Sequence, residues 1–206
     1  MRTKLAIAGM TMTMLLALPS GAAVAATGGS SYAPSQPQSP SPTPPPSPSQ
    51  TPAQTSSPKG KVVPGDKAKL LRNGLAAAPA NAPEQVKKMI WAANKIQSKP
   101  YVYGGGHGTF PTDRGYDCSG TVSYALYYGG ILDGEPRDSV GFFTWGEEGK
   151  GTWVTVYANG GHAFMEIAGL RLDTSAAGDP GGARGPRWRK TLRDTSSFRA
   201  RRWPGL

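Results

Sequence analysis

"GYDCSGTVSYALYYGG", Gly115 to Gly130, holds the one cysteine of the chain and reads as the start and body of a helix. Asp117 is a residue type that caps helix N-termini through its side chain. Val122, Ala125 and Leu126 recur on one face behind it, and Gly129 ends the run. Cys118 therefore falls in the first turn. Unpaired backbone N–H groups and the positive end of the helix dipole stabilise a thiolate there. The same N–H groups can receive an oxyanion. Gly120 keeps the next turn clear of bulk, which leaves room for a substrate backbone. The charge of Asp117 opposes a second anion nearby, so its side chain is expected to point away, as a cap or a substrate ligand. A single cysteine can also be a small buried hydrophobe. That fate needs none of these neighbours, and the stretch reads as a nucleophile.

Working outward, "NAPEQVKKMIWAANKIQSKP" (Asn81 to Pro100) reads as a preceding helix. Asn81 can cap it with Glu84 in capping-box spacing. Val86, Met89, Ile90, Ala93 and Ile96 make its apolar face, and Pro100 stops it. "YVYGGGHG" is a glycine-rich loop. After the cysteine helix come three β-rich runs, "GTWVTVYAN", "HAFMEIA" and "LRLDTS", separated by turns at Asn159-Gly160-Gly161 and Ala168-Gly169. The basic tail from Gly185 to Leu206 adds one more strand. Helices first and then a small antiparallel sheet define an α+β domain. The folded unit is expected to span residues 81–206, with a short helix at Asp66 to Leu71 in the segment before it.

A thiolate nucleophile needs a base, and the chain holds two histidines. His162 opens an apolar strand behind two glycines that leave space for a cleft. Asp173 lies on the next strand across a tight turn, and adjacent antiparallel strands bring such positions side by side. Cys118, His162 and Asp173 thus supply nucleophile, base and orienting acid. His107, in the glycine-rich loop, either lines the cleft or is an exposed loop histidine. One cysteine and two histidines without close ligand spacing make a poor zinc set, so no metal or other cofactor is expected.

The N-terminus sets the compartment. "MRTKLAIAGMTMTMLLALPSGAAVAA" has a basic start, an apolar stretch from Leu5 to Leu18, a break at Pro19 to Gly21 and an A-x-A site at Ala23 to Ala25. Residues 1–26 read as a secretory signal peptide. The apolar stretch is shorter than the ~20 residues of a spanning helix. No cysteine stands at the cleavage site to carry a lipid, so no stable membrane anchor is expected. Exported proteins usually pair their cysteines, so a lone Cys118 is a reactive thiol, an intermolecular link or a buried residue. Residues 27–80 form a linker. From Thr27 to Pro58 it is Pro, Ser, Thr, Gln, Ala and Gly with one tyrosine and no charge. That composition is expected to stay disordered, either as a stiff spacer or as a tail without function. The net charge is +10, from 23 Lys and Arg against 13 Asp and Glu. An anionic setting suits it, and export makes nucleic acid a poor partner.

"PYVYGGG", "GYDCSG" at a helix N-terminus, "PRDS" beyond it, a strand opened by histidine and a polar residue on the following strand resemble the NlpC-type cysteine peptidases of bacterial cell walls. The resemblance covers roughly Ala82 to Ser175. It implies a papain-like α+β fold and hydrolysis of the D-glutamyl–diamino acid bond in peptidoglycan stem peptides. By position, Cys118 is the nucleophile, His162 the base and Asp173 the third polar residue. The family more often has histidine, glutamine or asparagine in that third place. Tyr103 matches the aromatic whose hydroxyl helps Cys118 form the oxyanion site. Asp117 and Ser119 match residues that contact the free amino end of the stem peptide. The family's "PGDLVFF"-like segment has no counterpart; "GTWVTVYANGG" stands there.

The expectation is a secreted, monomeric peptidoglycan endopeptidase. An amidase or acyltransferase on the same fold shares the acyl-enzyme chemistry. A third class is a non-catalytic wall-binding protein that holds anionic polymers through Arg184, Arg187, Arg189, Lys190, Arg201 and Arg202.

Overall fold

The computed structural model describes residues 60–108, 113–132, 134–179, 182 and 184–206. The expected signal peptide, residues 1–26, and the Thr27 to Pro58 segment lie outside these residues.

The chain from Gly60 onward begins with three short strands, β1 (Val62–Val63), β2 (Lys69–Leu70) and β3 (Ala76–Pro79). They form a sheet in the order β1-β3-β2, with β1 parallel and β2 antiparallel to β3. The sequence reading put this segment in the linker and a helix at Asp66 to Leu71; the segment is folded and β2 stands where the helix was expected. Gly65 and Gly74 both have positive φ, so the segment turns where a helix would run on. Ala76, Ala77 and Ala78 are buried, and β3 packs against helix α1 (Glu84–Lys95). Three alanines let the strand backbone approach the helix closely. Asn94 of α1 then closes the contact: its amide accepts from Ala76 N–H and donates to Ala76 C=O, both at 2.8 Å.

In α1 the face predicted from spacing, Val86, Met89, Ile90 and Ala93, is buried, with Ile96 just beyond it. The N-cap position is Pro83, with no side-chain cap. Asn81 instead donates to Asp66 Oδ1 at 2.8 Å and ties the helix entry to the β1–β2 turn. Helix α2 (Cys118–Gly129) packs against α1. Gly129 is its last residue, and the left-handed turn falls on Gly130 (φ 73°). The first glycine serves a close helix contact, since a Cβ there would lie 2.5 Å from Met89 Cγ.

The remaining strands are β4 (Glu147–Glu148), β5 (Val154–Asn159), β6 (His162–Ile167), β7 (Leu170–Asp173), β8 (Arg187–Arg189) and β9 (Arg199–Arg202). They make a six-stranded antiparallel sheet in the order β4-β9-β5-β6-β7-β8. The three runs read from sequence are β5, β6 and β7. Gly160-Gly161 joins the first pair, and Ala168-Gly169 the second, with both residues at positive φ as a tight hairpin turn requires. The tail gives two strands, not one: β8 extends one edge and β9 inserts between β4 and β5. Helix α2 lies on β6. Val156, Met165, Ile167 and Leu172 from the sheet meet Val86, Met89, Val122 and Leu126 from the helices in one apolar core. The fold is α+β: α2 packs on the larger sheet, and α1 packs on α2 and on the small sheet. The core clamps the N-terminus of α2 against the first residue of β6, and that junction holds the cysteine.

Candidate active site

Asp117 precedes α2 in an extended conformation and accepts a hydrogen bond from Gly120 N–H at 2.7 Å. It is a side-chain N-cap, so the chain enters the helix at Cys118. Gly120 was read as leaving room for substrate; that room is taken by the chain itself. A Cβ at Gly120 would overlap the carbonyl oxygen of Gly105, and one at Gly106 would lie 2.6 Å from the Tyr116 ring. The glycine-rich loop therefore lies backbone to backbone on the first turn of α2. Asp117 N–H to Gly105 C=O at 2.9 Å fastens it.

Cys118 is half-buried and unpaired by any disulfide. The His162 side chain and the backbone N–H of Ala163 face its thiol. Burial raises its pKa, but hydrogen bonding from these two groups and the His162 charge outweigh burial, and the net shift is downward. His162 bonds Asp173 Oδ1 through Nε2 at 2.9 Å, so Nδ1 is the nitrogen left for the thiol. Burial would lower the His162 pKa; bonds to Asp173 and Cys118 reverse this and raise it to about 9. The two shifts together favour a thiolate–imidazolium pair at neutral pH.

The β6–β7 register explains how residues eleven apart meet. Met165 faces Leu172, so Asp173 falls opposite Phe164, and His162 is the diagonal neighbour on the same face. Phe164 stacks beside the imidazole, with ring centroids 6.2 Å apart. Asp173 is fully buried and heavily bonded. Ser175 N–H donates to Oδ1 at 2.8 Å, Arg193 Nη1 donates to Oδ2 at 3.2 Å, and Arg171 Nε lies 3.5 Å from Oδ2. Burial raises its pKa, but the His162 bond, the Ser175 N–H and the charges of His162 and Arg171 pull it below the ordinary carboxylate value. Arg171 is itself 0% exposed and donates to Ala177 C=O at 2.8 Å. The Arg193 guanidinium sits over the rings of Phe164 and Phe198, 5.2 and 5.1 Å from their centroids. Sequence reasoning missed both arginines. The signal for Arg171 was its place two residues before Asp173 on one strand face; Arg193 reaches the site only through the tail.

The structure brings Cys118, His162 and Asp173 into one line. Asp117 and Ser119, the chain neighbours of Cys118, turn toward each other: Ser119 Oγ donates to Asp117 Oδ1 at 3.1 Å. His107 joins them, its Nε2 3.0 Å from Asp117 Oδ1 and 3.2 Å from Ser119 Oγ. It is a partly buried member of the cluster. Tyr103 is 91% exposed, so its hydroxyl stands in water and not over the thiol. Tyr101, two residues earlier, is the tyrosine near the cysteine: burial raises its pKa first, and the charges of Cys118 and Asp117 raise it further. Tyr101 lines an open cleft of about 520 Å³ with His162, Thr174, Ser175, Ala176, Ala177 and Arg184. Among the described residues no group of three His, Cys, Asp or Glu side chains could hold a metal, and no helix is long and apolar enough to cross a membrane.

An α+β fold that sets a thiol against an imidazole, and the imidazole against a buried carboxylate, can carry nucleophilic acyl transfer. Compared with known proteins, the chain matches no family model and no curated protein. Among solved structures it is similar to a hypothetical invasion protein of Mycobacterium tuberculosis, Rv1477, at 19% identity and a TM-score of 0.40. The same figures relate it to the resuscitation promoting factor interacting protein RipA mutated at a histidine. Each alignment covers 58% of this chain and 62% of the other, so the chain spans under two thirds of either structure.

Proposed function

We propose that this protein is a secreted NlpC-type cysteine endopeptidase that hydrolyses the D-glutamyl–diamino acid bond of peptidoglycan stem peptides. The observation that carries the reading is the continuous line from Cys118 through His162 to a buried, ionised Asp173. The sequence resemblance supplies the substrate class.

The Cys118 thiolate attacks the scissile carbonyl carbon, a C–S bond forms, and the carbonyl electron pair moves to oxygen. The oxyanion is met by the Cys118 N–H at the start of α2, which has no acceptor within the helix. Tyr101, on the cleft wall with His162, is the tyrosine suited to assist there. The His162 imidazolium gives its proton to the leaving nitrogen, the C–N bond breaks, and a thioester remains. Neutral His162 then takes a proton from water as the hydroxide oxygen attacks the thioester. The carboxyl product departs, and thiolate and imidazolium are restored. Asp173 holds the imidazole by Nε2 throughout and stabilises its charged form.

The test is incubation of the purified secreted chain with peptidoglycan, followed by mass spectrometry of the products, with Cys118→Ala as control. Stem peptides cut before the diamino acid, and absent from the control, support the reading. A shortened glycan with intact peptides, or an unaltered polymer that co-sediments with protein, refutes it.

A further inference from the structure

The nucleophile of this protein follows directly on a carboxylate, and that arrangement is costly unless the carboxylate is neutralised. Asp117 is buried, and its first oxygen accepts from Gly120 N–H, Ser119 Oγ and His107 Nε2 at 2.7, 3.1 and 3.0 Å. Its second oxygen accepts from Gly104 N–H at 3.1 Å. Only one of these partners can carry a charge. Burial acts against an ionised Asp117, but the bonds from His107, Gly120 and Ser119 prevail and keep its pKa low. Its negative charge works against ionisation of Cys118. His107 is held in place by the glycine-rich loop, whose Gly106 N–H donates to Asp113 Oδ2 at 2.7 Å.

We propose that His107 is a positioning residue for the thiol: as an imidazolium bound to Asp117 and Ser119, it cancels the capping carboxylate and so allows Cys118 to ionise at neutral pH. The inference deepens the cysteine-hydrolase reading, but it concerns the thiol alone and can be tested without turnover. The charged groups facing His107 are Asp117 and Cys118 at the start of α2 and Asp138 in the loop after it, with Asp113 bonded to the neighbouring Gly106 N–H. The Asp117 bond is the largest influence on His107 and raises its pKa; burial opposes it, and the charges of Asp117, Cys118 and Asp138 add to it. The site thus has two imidazoles with different tasks. His162 bonds the sulfur and moves the proton. His107 touches neither the sulfur nor the scissile bond, and acts through Asp117.

The experiment is the pH dependence of iodoacetamide alkylation of Cys118 in the whole secreted chain. His107→Gln keeps a hydrogen-bonding side chain but removes the cation. The acid limb should move up by about half a unit to one unit, so that below it alkylation slows roughly three- to tenfold. Asp117→Asn keeps the cap and removes the charge that His107 cancels, so the limb should stay close to its wild-type position. In the Asp117→Asn background, His107→Gln should have no further effect. An unmoved limb in His107→Gln overturns the proposal, as does a shift of equal size in both backgrounds. Should a variant fold poorly, the proton NMR titration of His107 in the wild type decides the matter. Titration above the ordinary histidine value that falls in Asp117→Asn supports the pairing, and titration at or below that value overturns it. Neither measurement depends on a peptidoglycan product. Failure of the hydrolase reading and failure of this inference are therefore separate results.

Discussion

Asp173→Asn is the substitution that tests the site most sharply, because Asp173 serves two sets of charges. On one side it is 2.9 Å from His162 Nε2; on the other it faces Arg171 and Arg193. Two unit charges about 4 Å apart at an effective dielectric near 20 interact by about 4 kcal/mol, equivalent to roughly three units of pKa. That is the size needed to hold His162 at about 9 against its ordinary 6.5. With asparagine the imidazolium loses its counter-charge while both arginines stay, so its pKa should fall to the ordinary value or below. The thiolate–imidazolium pair then exists over a narrower range. The acid limb of kcat/KM moves up, because the thiolate loses part of its partner's charge. The alkaline limb moves down, because the imidazolium gives up its proton sooner. Turnover at neutral pH should drop about ten- to a hundredfold, less than in Cys118→Ala. Stability should fall as well. Arg171 is 0% exposed, and removing one partner of a buried ion pair costs about 3–5 kcal/mol. The assays are the pH profile on a soluble stem peptide, the pH profile of alkylation, and thermal unfolding. If Asp173→Asn matches the wild type in all three, Asp173 orients nothing and the site has been misassigned.

Iodoacetamide should modify Cys118 in the folded protein at neutral pH faster than it modifies a free thiol peptide; labelling that needs denaturant would mark a structural cysteine. His162→Ala should abolish hydrolysis with the fold retained, and substantial remaining turnover would show that another group supplies the base. Gly120→Ala should destabilise the protein by about 1–3 kcal/mol, because its methyl group meets the Gly105 backbone; unchanged denaturant unfolding would contradict the close approach. The raised pKa of His162 has a stability consequence, best read in Cys118→Ser, where no thiol titrates. Its contribution is fully present below 6.5, the unfolded value, and is lost as pH rises through the folded value, about 9 with the thiol in place. The Asp173 bond persists in this variant and keeps the shift upward, so its Tm should decline over that window. A flat Tm would mean that Asp173 does not favour the imidazolium.

The parts of the fold visible in the sequence were those with a strong local signal. The α1 face repeats at helical spacing, α2 begins at a capping aspartate, and β5 to β7 are bounded by turn residues at their joints. The small N-terminal sheet had no such signal. Its strands are two to four residues long, and the buried one is Ala-Ala-Ala-Pro, a composition that signals no strand. What holds it is Asn94, whose amide bonds both the N–H and the C=O of Ala76 from α1. No local pattern announces such a contact. The placing of Cys118, His162 and Asp173 together was legible because the cysteine follows a capping aspartate and the other two stand at facing offsets of one hairpin. The tyrosine was not: Tyr101 and Tyr103 both stand in a run read as a loop, and only the parallel bridge from Tyr101 to Tyr116 separates the one held at the cleft from the one in water. His107 was ambiguous for a similar reason, since a glycine-rich loop gives no period from which to infer the direction of a side chain.

The basic tail bears on the competing wall-binding reading. Its arginines were candidates for holding an anionic polymer, and most of them are engaged within the chain. Arg187 donates to the carbonyls of Gln97 and Lys99, Arg201 to those of Trp145 and Gly146, and Arg202 to Glu147. Arg189 is buried and paired with Asp179. Arg193, which sequence reasoning missed, holds Asp173. Polymer binding by a basic segment draws on cations that exchange small counterions for polymer charges. An arginine already committed to carbonyls and carboxylates of its own chain has little left to exchange. Of the six basic residues first considered, Arg184 and Lys190 are exposed, and Arg184 lines the cleft beside His162. The charge of the tail is thus largely committed within the chain, and one of its arginines, Arg193, pairs with Asp173.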